Sequence, residues 1–332
     1  MTYAGSNVTG TKGLIAVDKV GNKIRFYDPQ SLREIKQFDG PEPCVHELAI
    51  SRDHKRAFVP LYGDGIYGSN KHPNNKIIVI DLERQELADV IALGDCIAPH
   101  GMAATKGGLL WVVCDLAQKL VLLDPAKRAI VATHDCPAKG PHLLSLTPDE
   151  TKVYVSSKEG DLCVFDVVQG KFVAALPMRA PGVASGNGSG SEGLMPTPSG
   201  DRLIIADNDR GDLHVIDLAT NREIDRVPLS MNPLSNVKRS RLVKLMFSPD
   251  GRYLVATSYA AGLAWVIDPA DLRRQTLVTV AKGPQGMAFP PDGKTVLVSS
   301  HDSGLLTRID LATGKPVAAY DGGAGIEVLA YY

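Results

Sequence analysis

The stretch GPQGMAFPPDGKTVLVSSHDSGLLTRIDL, residues 283–311, decides the fold. A short apolar segment, Met287–Phe289, ends at the turn Pro291-Asp292-Gly293. A second apolar run, Thr295–Ser300, follows, and a third closes on Ile309-Asp310-Leu311. Short runs of Val, Ile and Leu bounded by Gly, Asp and Pro are sheet strands. The same unit returns along the chain. Aligned on the end of the third strand, Asp28, Asp81, Asp124, Asp166, Asp217, Asp268 and Asp310 fall in register, at steps of 53, 43, 42, 51, 51 and 42 residues. A repeat of that length, with four short strands and no helical period, is the signature of a β-propeller. The expectation is an all-β, seven-bladed β-propeller with four antiparallel strands per blade, forming a single domain over residues 1–332.

Blade one is expected to use Val45–Ser51, Arg56–Leu61, Lys76–Leu82 and Glu86–Leu93. Later blades begin near His100, His142, Glu192, Val243 and Gln285. The last unit supplies only a first strand, Glu327–Tyr332. Lys12–Asp18, Lys23–Asp28 and Arg33–Phe38 supply the other three, so blade seven closes by pairing the N-terminal strands with the C-terminal one. The seven aligned aspartates read as turn formers that bond their own backbone rather than as a set of functional carboxylates.

Composition places the chain among globular proteins, with 44% hydrophobic and 22% charged residues and a net charge of −1. That balance gives no electrostatic footprint for nucleic acid or an anionic membrane surface. A single-stranded nucleic-acid site would also need a basic groove with aromatic steps. No apolar run is long enough to span a membrane as a helix. The opening residues carry no basic region followed by an apolar core, so no secretory signal is read. The five cysteines form no CxxC pair, and a reducing cytoplasm is the expected location.

The phrases Pro-His-Gly-Met-Ala (99–103), Lys-Leu-Met-Phe-Ser-Pro-Asp-Gly-Arg-Tyr-Leu (244–254) and Gly-Pro-Gln-Gly-Met-Ala-Phe-Pro-Pro-Asp-Gly-Lys (283–294) resemble repeats of the YVTN-type, lactonase-like seven-bladed propellers. The resemblance covers nearly the whole chain and implies the fold. The family holds lactonases, cyclising and ring-opening enzymes, lyases and proteins with no known reaction. No one catalytic motif unites them, so the resemblance assigns no residue a role.

Position carries more than motif. The residue near the start of each first strand is, in ring order, Glu327, His46, His100, His142, Glu192, Lys244 and Gln285. In a propeller these would line the mouth of the central channel. Imidazole and carboxylate together suit a divalent ion (Zn, Fe, Mn, Ni or Cu), with His46, His100, His142 and Glu192 as its ligands. Without metal, the same groups offer an acid and a base. The bland alternative is that any propeller channel is wet and polar at its mouth.

Three units exceed the 42-residue repeat by long loops on the face that carries these histidines: Gly63–Asn75, Ala180–Ser191 and Ser230–Arg241. The first contributes Tyr67 and His72. The last contributes Arg241, which with Lys244 and Gln285 would hold the negative group of a substrate. His301 is placed beside the set, and Glu327 and Glu192 as further ligands or a partner base. Gly186–Ser191 is glycine-rich but opens no helix, so no nucleotide cofactor is expected. Ser300-His301-Asp302 names a triad, yet neighbouring side chains are expected to diverge. Cys44, Cys96 and Cys136 precede the histidines by two, four and six residues, and these unequal offsets favour inert buried thiols over ligands.

The function expected is an enzyme acting on a small, anionic organic molecule in the channel mouth, of lactonase-like hydrolase or of lyase and cyclase type. The alternative is a non-catalytic propeller scaffold that binds a protein or a small ligand.

Overall fold

A computed structural model describes residues 11–178, 190–231 and 242–332. Every regular element in them is a β-strand. The strands form seven antiparallel sheets of four, and the fold is a seven-bladed β-propeller, as the repeat predicts. Six sheets are built from consecutive strands. The seventh pairs Ile326–Tyr331 with Leu14–Asp18, followed by Lys23–Tyr27 and Glu34–Asp39. Chain contacts divide the molecule into two compact units, Phe38–Ser191 and Glu192–Tyr332 with the described residues up to Gln37.

Burial follows strand order. The first strand Pro99–Ala104 and the second strand Leu110–Cys114 are buried at every residue. The fourth strands are the outer edges, and Lys171–Pro177 alternates exposed with half-buried positions. Charged residues and proline occupy these edges, as in Lys315–Asp321, where they oppose further strand addition. Within the first unit, apolar clusters fill the space between successive sheets. One joins Phe58, Ile77 and Ile91 to Met102, Val112 and Val121. The next joins Trp111 and Leu120 to Leu144, Val155 and Phe165.

The aligned aspartates are turn locks. Asp28, Asp81, Asp124, Asp166, Asp217, Asp268 and Asp310 each accept a backbone N–H two or three residues further on through Oδ1. A β-bulge precedes this turn in six sheets, for example between Leu122 and Leu123 and between Val164 and Phe165.

A second bulge matters more for function. The ladder between first and second strands skips from Pro99 to Met102, from Pro141 to Leu144 and from Pro284 to Met287. His100, His142 and Gln285 sit inside these interruptions, where a bulge re-aims side chains away from the regular pleat.

Blade one departs from its expected bounds. Only Ala49–Ile50 of Val45–Ser51 is strand, preceded by an isolated bridge from Val45 to Leu61. The expected loop from Gly63 to Asn75 is shorter, because its flanking strands run to Gly63 and restart at Pro73. Alternating apolar residues stop near Leu61, but backbone pairing from Gly63 to Pro73 does not depend on them.

In the second unit, one ladder of charges recurs with the same spacing in two sheets. Asp18, Arg25 and Glu34 stand on the second, third and fourth strands of one sheet, with Arg25 bonding both carboxylates at 2.7 Å. Asp207, His214 and Glu223 repeat the pattern in another, with the buried His214 imidazole held between Asp207 Oδ2 at 3.2 Å and Glu223 Oε1 at 2.9 Å.

Candidate functional site

In the first unit the structure brings His46, His100 and His142 together. The rings of His46 and His100 lie 4.2 Å apart, centroid to centroid, and those of His100 and His142 lie 4.0 Å apart. All three side chains are buried. Their strands can approach because Gly101 follows His100: a Cβ there would stand 2.7 Å from the carbonyl oxygen of His142. Gly101→Ala is therefore expected to push the two strands apart, costing about 1–3 kcal/mol. A urea titration checks the stability.

Three further residues complete the cluster and were not singled out from sequence. Glu47 is buried, and its carboxylate with His46 and His100 forms a group whose candidate ligand atoms all lie within 4.8 Å of one another. Tyr62 packs edge-on against both imidazoles, at 5.1 Å from His46 and 5.3 Å from His100. Its hydroxyl donates to Asp115 Oδ2 at 2.7 Å. Burial, followed by the Asp115 carboxylate, pushes the phenol well above its ordinary range, so Tyr62 is a neutral donor. The readable signal for Tyr62 and Asp115 is the register at the end of each second strand. Lys19, Lys158 and His301 hold it in three other sheets: like Tyr62 and Asp115, each gives its backbone N–H to the carbonyl two residues before the first-strand position of Glu327, His142 or Gln285.

A hairpin extends from this part of the unit. Asn70 Nδ2 donates to the Tyr62 carbonyl at 2.9 Å, and Asp64 accepts the backbone N–H groups of Lys71 and His72. Tyr67 seats its ring on Gly140, two residues before His142, and donates to Glu159 Oε1 at 2.7 Å. His72 is not brought to the histidine cluster. Its side chain is 83% exposed and pairs with Asp64 at 2.6 Å.

The remaining candidates lie in the second unit. Glu327 is buried, accepts from Gln285 Nε2 at 3.1 Å and faces Lys19 Nζ at 3.6 Å. Glu192 and Lys244 are buried in the first strands of their own sheets. Arg241 and Gly186–Gly188 fall outside the described residues. His301 and Asp302 do not diverge: His301 Nδ1 lies 3.1 Å from Asp302 Oδ1, because the tight turn after Ser300 folds one side chain back on the other. Tyr259 donates to the same carboxylate. That bond, after burial, raises the Tyr259 phenol to about 12. Ser300 Oγ instead donates to the carbonyl of Ala281, so no serine relay forms.

The arrangement in the first unit offers two imidazoles and a carboxylate to one ion, a third imidazole beside them, and a phenol donor held by a carboxylate. Borderline divalent ions prefer such nitrogen and oxygen donors.

No curated protein matches the sequence. Among solved structures, a functionally unknown protein from Desulfotomaculum acetoxidans DSM 771 superposes with a TM-score of 0.73 at 13% identity, covering 96% of this chain and 98% of that one. Hydrazine synthase of Kuenenia stuttgartiensis follows at 0.69 and 15%, covering 87% and 90%. Streptogramin B lyase gives 0.68 and 18%, covering 86% of each. Enzymes are thus among the propellers of like fold. Residues 81–320 match the PQQ_2 family, described as outer membrane protein assembly factor BamB. That match spans most of the sequence, and the chain belongs to this β-propeller family.

Proposed function

We propose that the protein is an enzyme acting on a small, anionic organic molecule at the histidine cluster of the first unit, of the hydrolase or lyase kind found among lactonase-like propellers. The observation that carries this reading is the three buried imidazoles in contact, with ring centroids 4.0 and 4.2 Å apart. Crowding three basic side chains out of water costs stability, and packing alone would be served better by apolar residues. His46, Glu47 and His100 would hold a divalent ion, which supplies positive charge to polarise a carbonyl. His142 stands beside them to move a proton. Tyr62, fixed by Asp115, presents its neutral phenol to the imidazoles and keeps their rings in place.

The test uses the purified chain stripped by a chelator and then offered Zn, Mn, Ni or Cu salts with small carboxylates and lactones. A thermal midpoint that rises with one metal, together with turnover that His46→Ala removes, supports the assignment. No shift with any metal and no turnover of the panel would overturn it.

A second reading rests on one observation. The outer strands of the first unit expose Leu87, Ile130 and Val131, which a scaffold would use to dock a partner. Substitutions on those strands would then abolish function while His46→Ala leaves it intact.

A further inference from the structure

Four of the five cysteines stand in two pairs, each joining a connection between sheets to the sheet that follows it. Cys96 lies in the connection between the first two sheets of the unit, and Cys114 ends the second strand Leu110–Cys114 of the sheet that follows. Both belong to one apolar cluster, each thiol close enough to shift the pKa of the other. Cys136 lies in the next connection, after the strand Ala129–Asp135, and Cys163 lies in the third strand, Asp161–Asp166, of the sheet beyond. These two also share a cluster, and each thiol shifts the pKa of the other. All four are free thiols, as is the half-buried Cys44.

The members of each pair are not equivalent. Cys96 keeps 7% of its surface exposed and Cys136 keeps 4%, whereas Cys114 and Cys163 have none. Exchange with a dissolved reagent therefore starts at Cys96 or Cys136, and the fully buried thiol resolves it. The neighbouring Cys114 thiol pulls the Cys96 thiol down to about 7, giving it thiolate character near neutral pH. Each pair also brackets a site residue in the chain. His100 falls between Cys96 and Cys114, and His142 falls between Cys136 and Cys163.

We infer that Cys96–Cys114 and Cys136–Cys163 are two dithiol couples that oxidise to disulfides by exchange with a small-molecule disulfide, stapling the segments that carry His100 and His142 to the sheets behind them. In each couple the outer thiolate attacks one sulfur of the reagent and expels a thiolate, forming a mixed disulfide. The inner cysteine, losing its proton, then displaces the second thiolate. Two protein thiols and one small disulfide become one protein disulfide and two small thiols. The inference does not depend on the reaction proposed above.

The experiment incubates the folded full chain with oxidised glutathione, denatures it in N-ethylmaleimide and measures the intact mass and peptide linkages. The reduced chain takes up a maleimide at each of its five cysteines. The oxidised chain is expected to take up one, at Cys44, and to lose about 2 Da per disulfide. Peptides must map the links to 96–114 and 136–163. Cys114→Ser should remove the first link alone and Cys163→Ser the second alone. The oxidised chain should melt about 3–6 °C higher than the reduced one. Uptake at all five cysteines after prolonged oxidation, or links involving Cys44, overturns the inference whether or not the chain turns over any substrate.

Discussion

His214→Ala is expected to cost about 3–5 kcal/mol of stability, because it strands the buried Asp207 carboxylate opposite an empty volume. Burial by itself would lower the His214 pKa, but the hydrogen bonds it donates to Asp207 and Glu223 outweigh it and the net shift is upward. Glu223 moves the other way, to about 2, where burial is overcome by hydrogen bonds from His214 and Arg226. Asp207 is also lowered, burial being overcome by the His214 contact and by two backbone N–H groups. The raised histidine contributes stability that is complete below its unfolded pKa and disappears as pH rises through its folded one. The depressed carboxylates contribute above their unfolded values and lose it as pH falls through the folded ones. Between about pH 5 and 6 all three contributions coexist, and stability should decline on both sides of that window. Urea unfolding of wild type and of His214→Gln across about pH 3 to 9 checks this. A variant that unfolds at the wild-type midpoint with the wild-type slope against pH would refute the charged sandwich.

His100→Ala should have the largest effect on activity, since its ring alone contacts both His46 and His142. The expected loss in kcat is about 100-fold or more, the usual range for removing a positioned acid, base or ligand. Metal content, measured by elemental analysis on the same preparation, should fall with it. His54→Asn, in a turn with a left-handed backbone that asparagine accepts, serves as the control that leaves both unchanged. Full metal and full turnover in His100→Ala would remove the cluster from the mechanism.

The repeat was readable because turn chemistry and strand burial obey local rules. Asp310 must bond the backbone N–H of Thr313 wherever that turn occurs, and an apolar run such as Thr295–Ser300 has no other use. The three histidines were readable as a group for the same reason, since equivalent positions in successive sheets become neighbours. Glu47 was not, because adjacent residues of a regular strand point to opposite faces. The chain before Ala49 is not regular strand: His46 N–H reaches the Pro60 carbonyl while the ladder proper begins later, and this lets both neighbours turn toward His100. The setting of His214 was not legible from the sequence. Its carboxylates come from the strands on either side, and their approach appears only once hairpin register is known.

Six of the seven sheets can assemble from strands that follow one another along the chain, but the seventh cannot. Tyr27 donates to the carbonyl of Gly322 across 295 residues of sequence, and Leu14–Asp18 finds its partner only in Ile326–Tyr331. Such a long-range pairing bears a large loop-closure entropy and belongs at the slow end of folding. Until it forms, the wholly apolar flank Leu14–Val17 is an open edge that a second nascent copy could engage, so aggregation during refolding should originate there.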